Sequence, residues 1–375
     1  MWNRNKIAAL VLAAGYSSRM VDFKSLLTLG GFKVIERAIH TFRHAGIMDI
    51  TVVVGHRADE LIPILDRLEV RHIFNESYDA GMFSSIVKGV QSFQTETEGF
   101  FLLPGDMPLV KSHTVRLLGR AFNRVKADVV YPVFQKHRGH PPLIAANCFA
   151  DILSGNGRRG LRQILEHHEG KAYEIEVLDE GILLDLDTRE DYQKISKEYY
   201  RRDIPTQAEC DEILDRMNVP DSIVNHGRIV ADISRKIALR LNQVGFSIDV
   251  DAVIAAGKLH DLAKGKPDHA RIGARILKKC GYYKVAQIVA AHTDIEIAEE
   301  LLPNEATVVY LADKLVKGDS IVSIGERFSG PMEKYTANAE AVAAIIERRL
   351  KAEYIEKNVE QLLGGSLAQI VADPC

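Results

Sequence analysis

The sequence predicts an α/β domain with a mostly parallel sheet, followed by a domain built of helices alone. From residue 7 to residue 190, short β-branched apolar runs alternate with stretches of helical spacing, and beyond residue 205 the strand-like runs disappear. Such alternation is typical of a parallel sheet with helices packed on it. With 375 residues, the chain is long enough for two domains. We expect domains at 1–200 and 206–375, with the boundary near Pro205, which ends a charged helical segment.

Each element of the first domain is predicted from its apolar pattern. The strands are predicted at 7–12, 50–54, 70–74, 100–103 and 128–134, which are short segments rich in β-branched, aromatic and other apolar residues. Apolar residues spaced three or four apart predict helices at 34–45, 58–68, 84–93 and 110–125. Ligands of such sheets bind beyond the carboxyl ends of the strands. The loops that follow the strands are therefore where a site is expected.

The composition favours soluble domains in a reducing cytoplasm. Hydrophobic residues make up 46% of the chain and charged residues 26%, so both domains can bury a core. The net charge of −3 does not suggest a nucleic-acid partner. No apolar run approaches the roughly 18–20 residues that a membrane span needs. Four cysteines lack metal-type spacing and fit a reducing cytoplasm: Cys148, Cys210, Cys280 and Cys375.

A glycine-containing loop with two cations follows the first predicted strand. Its small residues let main-chain N–H groups approach an anion closely, as in other phosphate-binding loops. The loop residues expected to contact a nucleotide are Leu12, Ala13, Ala14, Gly15 and Ser17. Arg19 and Lys24 then supply two positive charges that suit a triphosphate. The stretch therefore predicts a nucleotide site.

Carboxylates follow two further apolar segments and predict a magnesium site. Asp106 comes after the strand at 100–103, in a turn that contains prolines. Mg²⁺ is commonly held by one or two carboxylates together with phosphate oxygens. Asp185 and Asp187 would lie on one face if their segment is a strand. We favour Asp187 as the second ligand and keep Asp185 as a candidate.

Two other loops carry polar residues that suit a nucleotide and a second substrate. Gly81 precedes Ser84 and Ser85 at the start of a predicted helix, where the hydroxyls are either helix caps or ligand contacts. Arg138 and His140 flank a glycine in a basic segment. These two side chains either lie in a solvated loop or form a cationic rim for an acceptor that carries a phosphate.

Together these motifs resemble the nucleotidyltransferases of the MobA/MocA-like group, whose signature is LAxGxSxRMGxxK. The match runs over residues 12–24, and the segments with the predicted magnesium ligands are also similar to the family's. The resemblance implies a Rossmann-like domain in which Arg19 and Lys24 hold the triphosphate and carboxylates bind Mg²⁺. The segment from Gly81 to Ser85 is similar to the one that contacts the nucleotide base and ribose in cytidylyltransferases.

The same resemblance suggests the substrates. LAAG at 12–15 is similar to the cytidylyltransferase branch rather than to the guanylyltransferase branch, which has LAGG. The segments at 138–142 and 155–162 resemble those of molybdopterin cytidylyltransferases. CTP is therefore the expected donor and molybdopterin the expected acceptor. Three residues depart from the family pattern: Val21 for Gly, Asn156 for Asp and Arg189 for Pro. A transferase domain made degenerate by these departures is an alternative, and it would bind CTP weakly.

Histidine and aspartate residues in the helical second domain predict a metal centre. Each lies in an apolar run that would normally be buried, and grouping such side chains there is costly without a cation. The six residues are His226, His260, Asp261, His269, His292 and Asp313. Mixed nitrogen and oxygen ligands suit one or two ions of Mn, Fe, Zn or Mg. Lys264, one turn after Asp261, is either a phosphate contact or an ordinary helix cation.

This spacing resembles the HD phosphohydrolase superfamily, whose H…HD…D pattern is matched by His226, His260, Asp261 and Asp313. His269 and His292 resemble the additional ligands of a subset that binds two metals and includes the HD-type diadenosine tetraphosphate hydrolases. The resemblance implies a metal-dependent hydrolase of nucleotides or phosphate esters, with Asp261 and Lys264 acting in catalysis.

The sequence as a whole predicts an enzyme with two activities. The first domain is expected to transfer CMP from CTP to molybdopterin with release of pyrophosphate, using Arg19, Lys24, Asp106 and Asp187. The second domain is expected to hydrolyse a nucleotide or a phosphate ester. Alternatives are a sugar-phosphate or alcohol-phosphate acceptor for the transferase, and an HD domain that senses a nucleotide without cleaving it. Contact with a molybdoenzyme or a maturation factor is a further expectation.

Overall fold

The computed structural model describes residues 6–16, 23–155, 157, 159–296 and 302–372. The chain divides into two compact units, Met1–Tyr200 and Arg201–Cys375. Outside the described residues lie the predicted site residues Ser17 and Arg19 and two departures from the family pattern, Val21 and Asn156. No helix in the described part of the chain is both long and apolar enough to cross a membrane.

A central sheet organises the first unit. The strands in the described part of this unit are β1 (Ile7–Ala13), β2 (Thr28–Leu29), β3 (Phe32–Lys33), β4 (Ile50–Val54), β5 (Arg71–Phe74), β6 (Gly99–Pro104), β7 (Val129–Phe134), β8 (His137–Arg138), β9 (Leu143–Ala145) and β10 (Ala172–Glu176). Of these, β2 and β3 form a separate antiparallel pair, and the others belong to the central sheet. Across the sheet the order is β10-β7-β9-β6-β1-β4-β5, and β8 pairs with β7. β1 runs parallel to β4 and β6, β4 to β5, and β7 to β10. β9 is antiparallel to both β6 and β7.

Helices cover both faces of this sheet. They are α1 (Val34–Ala45), α2 (Ala58–Arg67), α3 (Met82–Val90), α4 (Ser112–Val125), α5 (Phe149–Ser154), α6 (Gly160–His167) and α7 (Arg189–Tyr200). Successive side chains of β1 point to opposite faces, so Val11 shares one core with Ile35 of α1 and Leu10 shares the other with Ile86 of α3. Because both of their faces are buried, the central parallel strands β1, β4 and β6 are apolar along almost their whole length.

The predicted mostly parallel sheet is confirmed, with differences in detail. The five predicted strands lie within one residue of β1, β4, β5, β6 and β7. The sequence did not predict β9, which is short and follows two prolines, or β10, whose glutamates interrupt the apolar pattern. The segment that carries Asp185 and Asp187 is not a strand. The prediction that these two side chains share one face required a strand, so it does not apply. It is irregular between a 3₁₀ turn (Glu180–Leu183) and α7.

The second unit is helical, as predicted. Its helices are α8 (Gln207–Arg216), α9 (Asp221–Gln243), α10 (Val250–Leu259), α11 (His269–Cys280), α12 (Tyr283–Ala291), α13 (Glu305–Lys314), α14 (Ile324–Lys334), α15 (Ala339–Leu363) and α16 (Leu367–Ala372). After α13 comes a hairpin of two short strands, β11 (Val316–Lys317) and β12 (Ser320–Ile321). The sequence did not predict this hairpin.

Two glycines allow α9 and α10 to pack closely. A Cβ at Gly227 would lie 2.7 Å from the main-chain oxygen of Lys258, and a Cβ at Gly257 would lie 2.6 Å from Cα of Ala231. Both distances are shorter than a side chain tolerates, so only glycine permits this approach of the two backbones. The contact sets the separation of the helices that carry the first two histidines of the predicted metal centre.

Candidate functional site

A cleft of about 620 Å³ lies in the first unit, at the edge reached by the carboxyl ends of β1, β5 and β6. This is the edge at which open α/β sheets bind ligands. Because β9 is antiparallel, the segment that precedes it reaches the same edge. The predicted site residues that line the cleft are Leu12, Ala13, Ala14, Gly15, Lys24, Gly81, Ser85, Asp106, Arg138, His140, Asp185 and Asp187.

Lys24 lies between the two carboxylates of the predicted magnesium site. Its Nζ atom is 2.5 Å from Oδ1 of Asp187 and 3.5 Å from Oδ2 of Asp106. Burial raises the pKa of Asp106, Lys24 opposes this rise, and the charge of Asp185 adds to it. The two carboxylates lie on either side of the Lys24 ammonium group, and carboxylate oxygens are the ligand type that Mg²⁺ prefers, so Asp106 and Asp187 would suit this ion together with phosphate oxygens.

Asp187 is positioned by the start of α7 and by the turn after β6. Oδ2 of Asp191 accepts hydrogen bonds from the main-chain N–H groups of Asp187 (3.2 Å) and Thr188 (2.8 Å). In return, Oγ1 of Thr188 accepts one from the N–H of Asp191 (3.1 Å), which completes a reciprocal helix cap. The N–H of Leu186 donates to the main-chain oxygen of Asp106 (3.1 Å), so the two carboxylate-bearing segments are tied together.

His140 reaches the cleft from the segment before β9. Its main-chain N–H donates to the oxygen of Ile182 (2.9 Å), and Nδ1 of its ring lies 3.3 Å from the oxygen of Leu102. Burial lowers the pKa of His140, which favours the neutral form of the ring. Because Nδ1 donates to a carbonyl, Nε2 of the neutral ring can accept a hydrogen bond from a ligand and supplies no positive charge.

Arg138 lines the cleft but shares its charge with two carboxylates. Its guanidinium contacts the carboxylate of Glu169, with Nη1 at 2.9 Å from one oxygen, and its Nε lies 2.6 Å from Glu174. The guanidinium also stacks over the ring of Tyr131 at 4.4 Å. These contacts hold the side chain in one orientation at the rim of the cleft.

The two predicted serines occupy different positions. The hydroxyl of Ser84 lies 2.8 Å from the main-chain oxygen of Gly81 and 2.9 Å from that of Ser77, and it does not line the cleft. Ser85 does line the cleft, and its hydroxyl accepts a hydrogen bond from Nδ2 of Asn75 (3.0 Å). Ser84 thus stabilises the turn before α3, whereas Ser85 can reach a ligand.

An aromatic group at the cleft was not predicted. The ring of Tyr16 lies 4.9 Å from that of His56 and 5.4 Å from that of Tyr78, measured between centroids. The hydroxyl of Tyr16 donates to Oδ1 of Asp79, and 52% of the tyrosine is exposed. Tyr16, Tyr78 and Asp79 line the cleft. The available signal was the presence of aromatic residues soon after β1, β4 and β5.

The six predicted metal ligands of the second unit converge on one centre. Five of them are buried, and His269 is partly exposed. In chain order they are His226 in α9, His260 and Asp261 at the end of α10, His269 at the start of α11, His292 at the end of α12 and Asp313 in α13. Helix packing therefore brings together residues that are far apart in the sequence.

Asp261 lies between two groups of imidazoles. Its Oδ2 is 3.4 Å from Nε2 of His260 and 4.0 Å from Nε2 of His226. Its Oδ1 is 3.2 Å from Nε2 of His269 and 3.6 Å from Nε2 of His292. Asp261 forms one group of three with His226 and His260 and a second with His269 and His292, and the ligand-type atoms within each group lie within 4.8 Å of one another. One carboxylate thus contributes to two potential metal sites.

Main-chain carbonyls orient three of the imidazoles. The Nδ1–oxygen pairs are His226 with Gly318 (2.9 Å), His260 with Gly257 (2.8 Å) and His292 with Val289 (2.7 Å). A carbonyl can only accept, so each Nδ1 carries a proton, and each Nε2 faces the centre, where it can bind a metal after losing any proton that it shares with a carboxylate. Among the described residues, no hydrogen-bond partner satisfies the buried Nε2 of His260. Lone pairs from nitrogen beside carboxylates fit a divalent metal.

Two lysines accompany the carboxylates of this centre. Lys264 forms an ion pair with Asp261. Nζ of Lys314 lies 2.6 Å from Oδ2 of Asp313 and donates to the main-chain oxygen of His292 (3.0 Å). Burial raises the pKa of both carboxyls. Hydrogen bonds from the imidazoles nevertheless hold the pKa of Asp261 well below its usual range. The positive charge of Lys314 does the same for the pKa of Asp313. Lys314 was not predicted, although a lysine in an apolar run signals a buried partner.

Comparisons with known proteins identify both units. Residues 9–172 match the family model described as MobA-like NTP transferase domain, and residues 223–318 match the HD domain. The chain therefore carries a MobA-like NTP transferase domain followed by an HD domain. Both resemblances seen in the sequence are confirmed.

Individual relatives are similar at low identity. A molybdenum cofactor cytidylyltransferase from Escherichia coli is 27% identical over 194 residues, which cover 52% of this chain and 97% of that protein. A protein described as a probable molybdenum cofactor guanylyltransferase from Natranaerobius thermophilus is 28% identical over 156 residues, covering 38% of this chain and 69% of that protein. A solved nucleotidyl transferase from Methanothermobacter superposes with a TM-score of 0.46 at 26% identity, covering 53% of this chain and 99% of that one.

Proposed function

We propose that the first unit transfers the CMP group of CTP to a molybdopterin-type acceptor and releases pyrophosphate. The observation that carries this proposal is the position of Lys24 between Asp106 and Asp187 in the cleft. A cation and two carboxylates at one point suit the phosphates of a nucleotide together with Mg²⁺. Similarity to a protein named molybdenum cofactor cytidylyltransferase supports the choice of CTP and molybdopterin.

The proposed reaction displaces pyrophosphate from the α-phosphorus of CTP. A phosphate oxygen of the acceptor forms a bond to this phosphorus, and the bond to the oxygen bridging the α- and β-phosphates breaks. Lys24 is placed to stabilise the charge that develops on the departing group. Asp106 and Asp187 would hold Mg²⁺, which neutralises phosphate oxygens when bound. Neutral His140 can orient the acceptor through a hydrogen bond, and such positioning supplies much of the rate.

The test is pyrophosphate release by the full chain with each of the four nucleoside triphosphates, with and without molybdopterin and Mg²⁺. We expect release to be confined to CTP with molybdopterin and to fall by about 100-fold or more in Asp106→Asn. Asp66→Asn is the control, because this carboxylate is 63% exposed on α2 outside the cleft. Strong release with sugar phosphates would reject molybdopterin as the acceptor. Absence of release with every pair would reject the transferase activity.

We also propose that the second unit is a metal-dependent phosphohydrolase. The observation behind this proposal is that Asp261 lies between two groups of imidazole Nε2 atoms. Divalent metals held there would supply an activated water molecule and a binding site for a phosphate. Lys264 pairs with Asp261 but is 45% exposed, so its ammonium group is accessible to a substrate phosphate.

Hydrolysis by the full chain supplied with Mn²⁺ or Fe²⁺ tests this second activity. Phosphate release is followed for mononucleotides, dinucleoside polyphosphates and simple phosphate esters. We expect Asp261→Asn to abolish it and Asp232→Asn to retain it, since Asp232 is 49% exposed on α9. A chain that binds metal and nucleotide without cleaving the nucleotide would support a sensing module instead. A chain that binds neither would reject both roles.

A further inference from the structure

The two ends of the transferase cleft differ in chemistry. Asp106 follows β6, Tyr16 follows β1, His56 follows β4 and Asp79 follows β5, and these strands lie side by side in that order. Neighbouring strands are about 4.8 Å apart, so the residues after β6 and β5 are separated by about 14 Å along the sheet edge. Lys24 and its two carboxylates therefore lie at one end of the cleft, and aromatic side chains lie at the other.

The aromatic end presents the half-exposed ring of Tyr16. Tyr16 packs against His56 and Tyr78, yet 52% of it is exposed and it lines the cleft. Its hydroxyl is bonded to Asp79, which ties the loop after β1 to the loop after β5 and limits rotation of the ring. An aromatic ring held in this way is a suitable surface for stacking of a nucleobase.

We propose that Tyr16 and Asp79 recognise the base of the donor nucleotide. The ring of Tyr16 stacks on the base, and the carboxylate of Asp79 accepts a hydrogen bond from the amino group of cytosine. This inference rests on the proposed use of CTP and adds the residues that select it. Neither residue was singled out by the sequence motifs.

The selectivity follows from the hydrogen-bonding capacity of Asp79. Oδ1 of Asp79 accepts a hydrogen bond from the hydroxyl of Tyr16, and within the described residues no donor is bonded to Oδ2. An ionised carboxylate only accepts hydrogen bonds. It therefore favours cytosine, which carries an amino group at C4, and disfavours uracil, which carries a carbonyl oxygen at the same position.

The test measures binding of CTP, UTP and inorganic tripolyphosphate to the full chain by calorimetry with Mg²⁺. Tyr16→Ala should weaken CTP binding by about 5- to 150-fold and change tripolyphosphate binding by less than about twofold, since only CTP has a base to stack. Tyr16→Phe keeps the ring and should retain most of the affinity. Tyr173→Ala is the matched control, because this tyrosine is 44% exposed on β10 outside the cleft.

A second variant tests the carboxylate separately. Asp79→Asn supplies an amide that can donate to the carbonyl of uracil, so the preference for CTP over UTP should narrow by about tenfold. Stacking is thus measured by the ratio of CTP affinity to tripolyphosphate affinity. Recognition of the amino group is measured by the ratio of CTP affinity to UTP affinity.

The outcomes separate this inference from the function on which it rests. Equal losses of CTP and tripolyphosphate affinity in Tyr16→Ala would overturn it, because the ring would then act on the phosphate loop rather than on the base. Unchanged CTP binding in Tyr16→Ala, or an unchanged CTP-to-UTP ratio in Asp79→Asn, would overturn it while leaving the transferase proposal intact. Failure of the unaltered chain to bind any nucleoside triphosphate would refute the transferase proposal itself.

Discussion

Replacing Gly257 with alanine should separate two helices of the HD domain and weaken its metal centre. A Cβ at this position would meet Cα of Ala231 at 2.6 Å, whereas ordinary contact begins at 3.4 Å. Because the opposing atom is main chain, α9 and α10 must move apart by about 0.8 Å. Metal–ligand distances tolerate about 0.2 Å, so His226 and His260 could no longer serve one ion. The overpacking costs about 1–3 kcal/mol, partly offset by the higher helix propensity of alanine.

The assay combines the metal content of the purified full chain with thermal denaturation. Gly257→Ala is expected to lose about one bound metal per chain, and each kcal/mol of destabilisation lowers the midpoint by about 2–4 °C in a domain of this size. Gly273→Ala is the matched control, because a Cβ there would meet Cγ of Leu262 at an ordinary 3.5 Å. The control variant should keep its metal, and its free energy of unfolding should rise by up to about 1 kcal/mol. Full metal content and an unchanged midpoint in Gly257→Ala would refute the reasoning.

Three further predictions concern charge. Mn²⁺ at 100 times its dissociation constant should stabilise the second unit against denaturant by about 2.7 kcal/mol. Asp261→Asn should lose most of this gain, and an equal gain in both would contradict the metal assignment. Lys314→Met should destabilise the metal-free chain by about 3–5 kcal/mol, because buried Asp313 loses its cation, and Mn²⁺ should restore part of the loss. If the metal-free Lys314→Met variant kept the stability of the wild type, the ion pair between Lys314 and Asp313 would not contribute to folding. The hydrogen bond with Asp128 (2.7 Å) raises the pKa of His168 above its ordinary 6.5, so its contribution is complete below pH 6.5 and is lost as pH rises through the folded-state value. His168→Gln should flatten the corresponding fall in melting temperature, and an unchanged pH profile would exclude the contribution.

Sequence periodicity predicted the buried strands β1, β4, β6 and β7, which are rich in apolar residues, and also the partly exposed edge strand β5. It failed for β10, an edge strand in which Glu174 and Glu176 alternate with apolar residues and Ala172 and Tyr173 are incompletely buried. The antiparallel course of β9 was also beyond reach, because pairing direction depends on where the chain returns rather than on its composition.

Site residues differed in the same way. Lys24, Asp106 and Asp187 could be proposed from local order, since each belongs to a motif that can be read along the chain. The roles of Tyr16 and Lys314 depend on a partner from a different segment of the fold, Asp79 across the sheet edge and His292 on another helix. Such pairings are set by tertiary packing and leave little trace in the spacing of residues.

Asp261 is a single point of dependence in the HD domain. One of its oxygens faces His260 and the other faces His269, so a substitution there removes a ligand from both groups at once. A substitution of His226 or His269 affects one group and leaves the other complete. The centre can therefore lose a single histidine and keep one complete group of potential ligands, whereas a change at Asp261 leaves neither group complete.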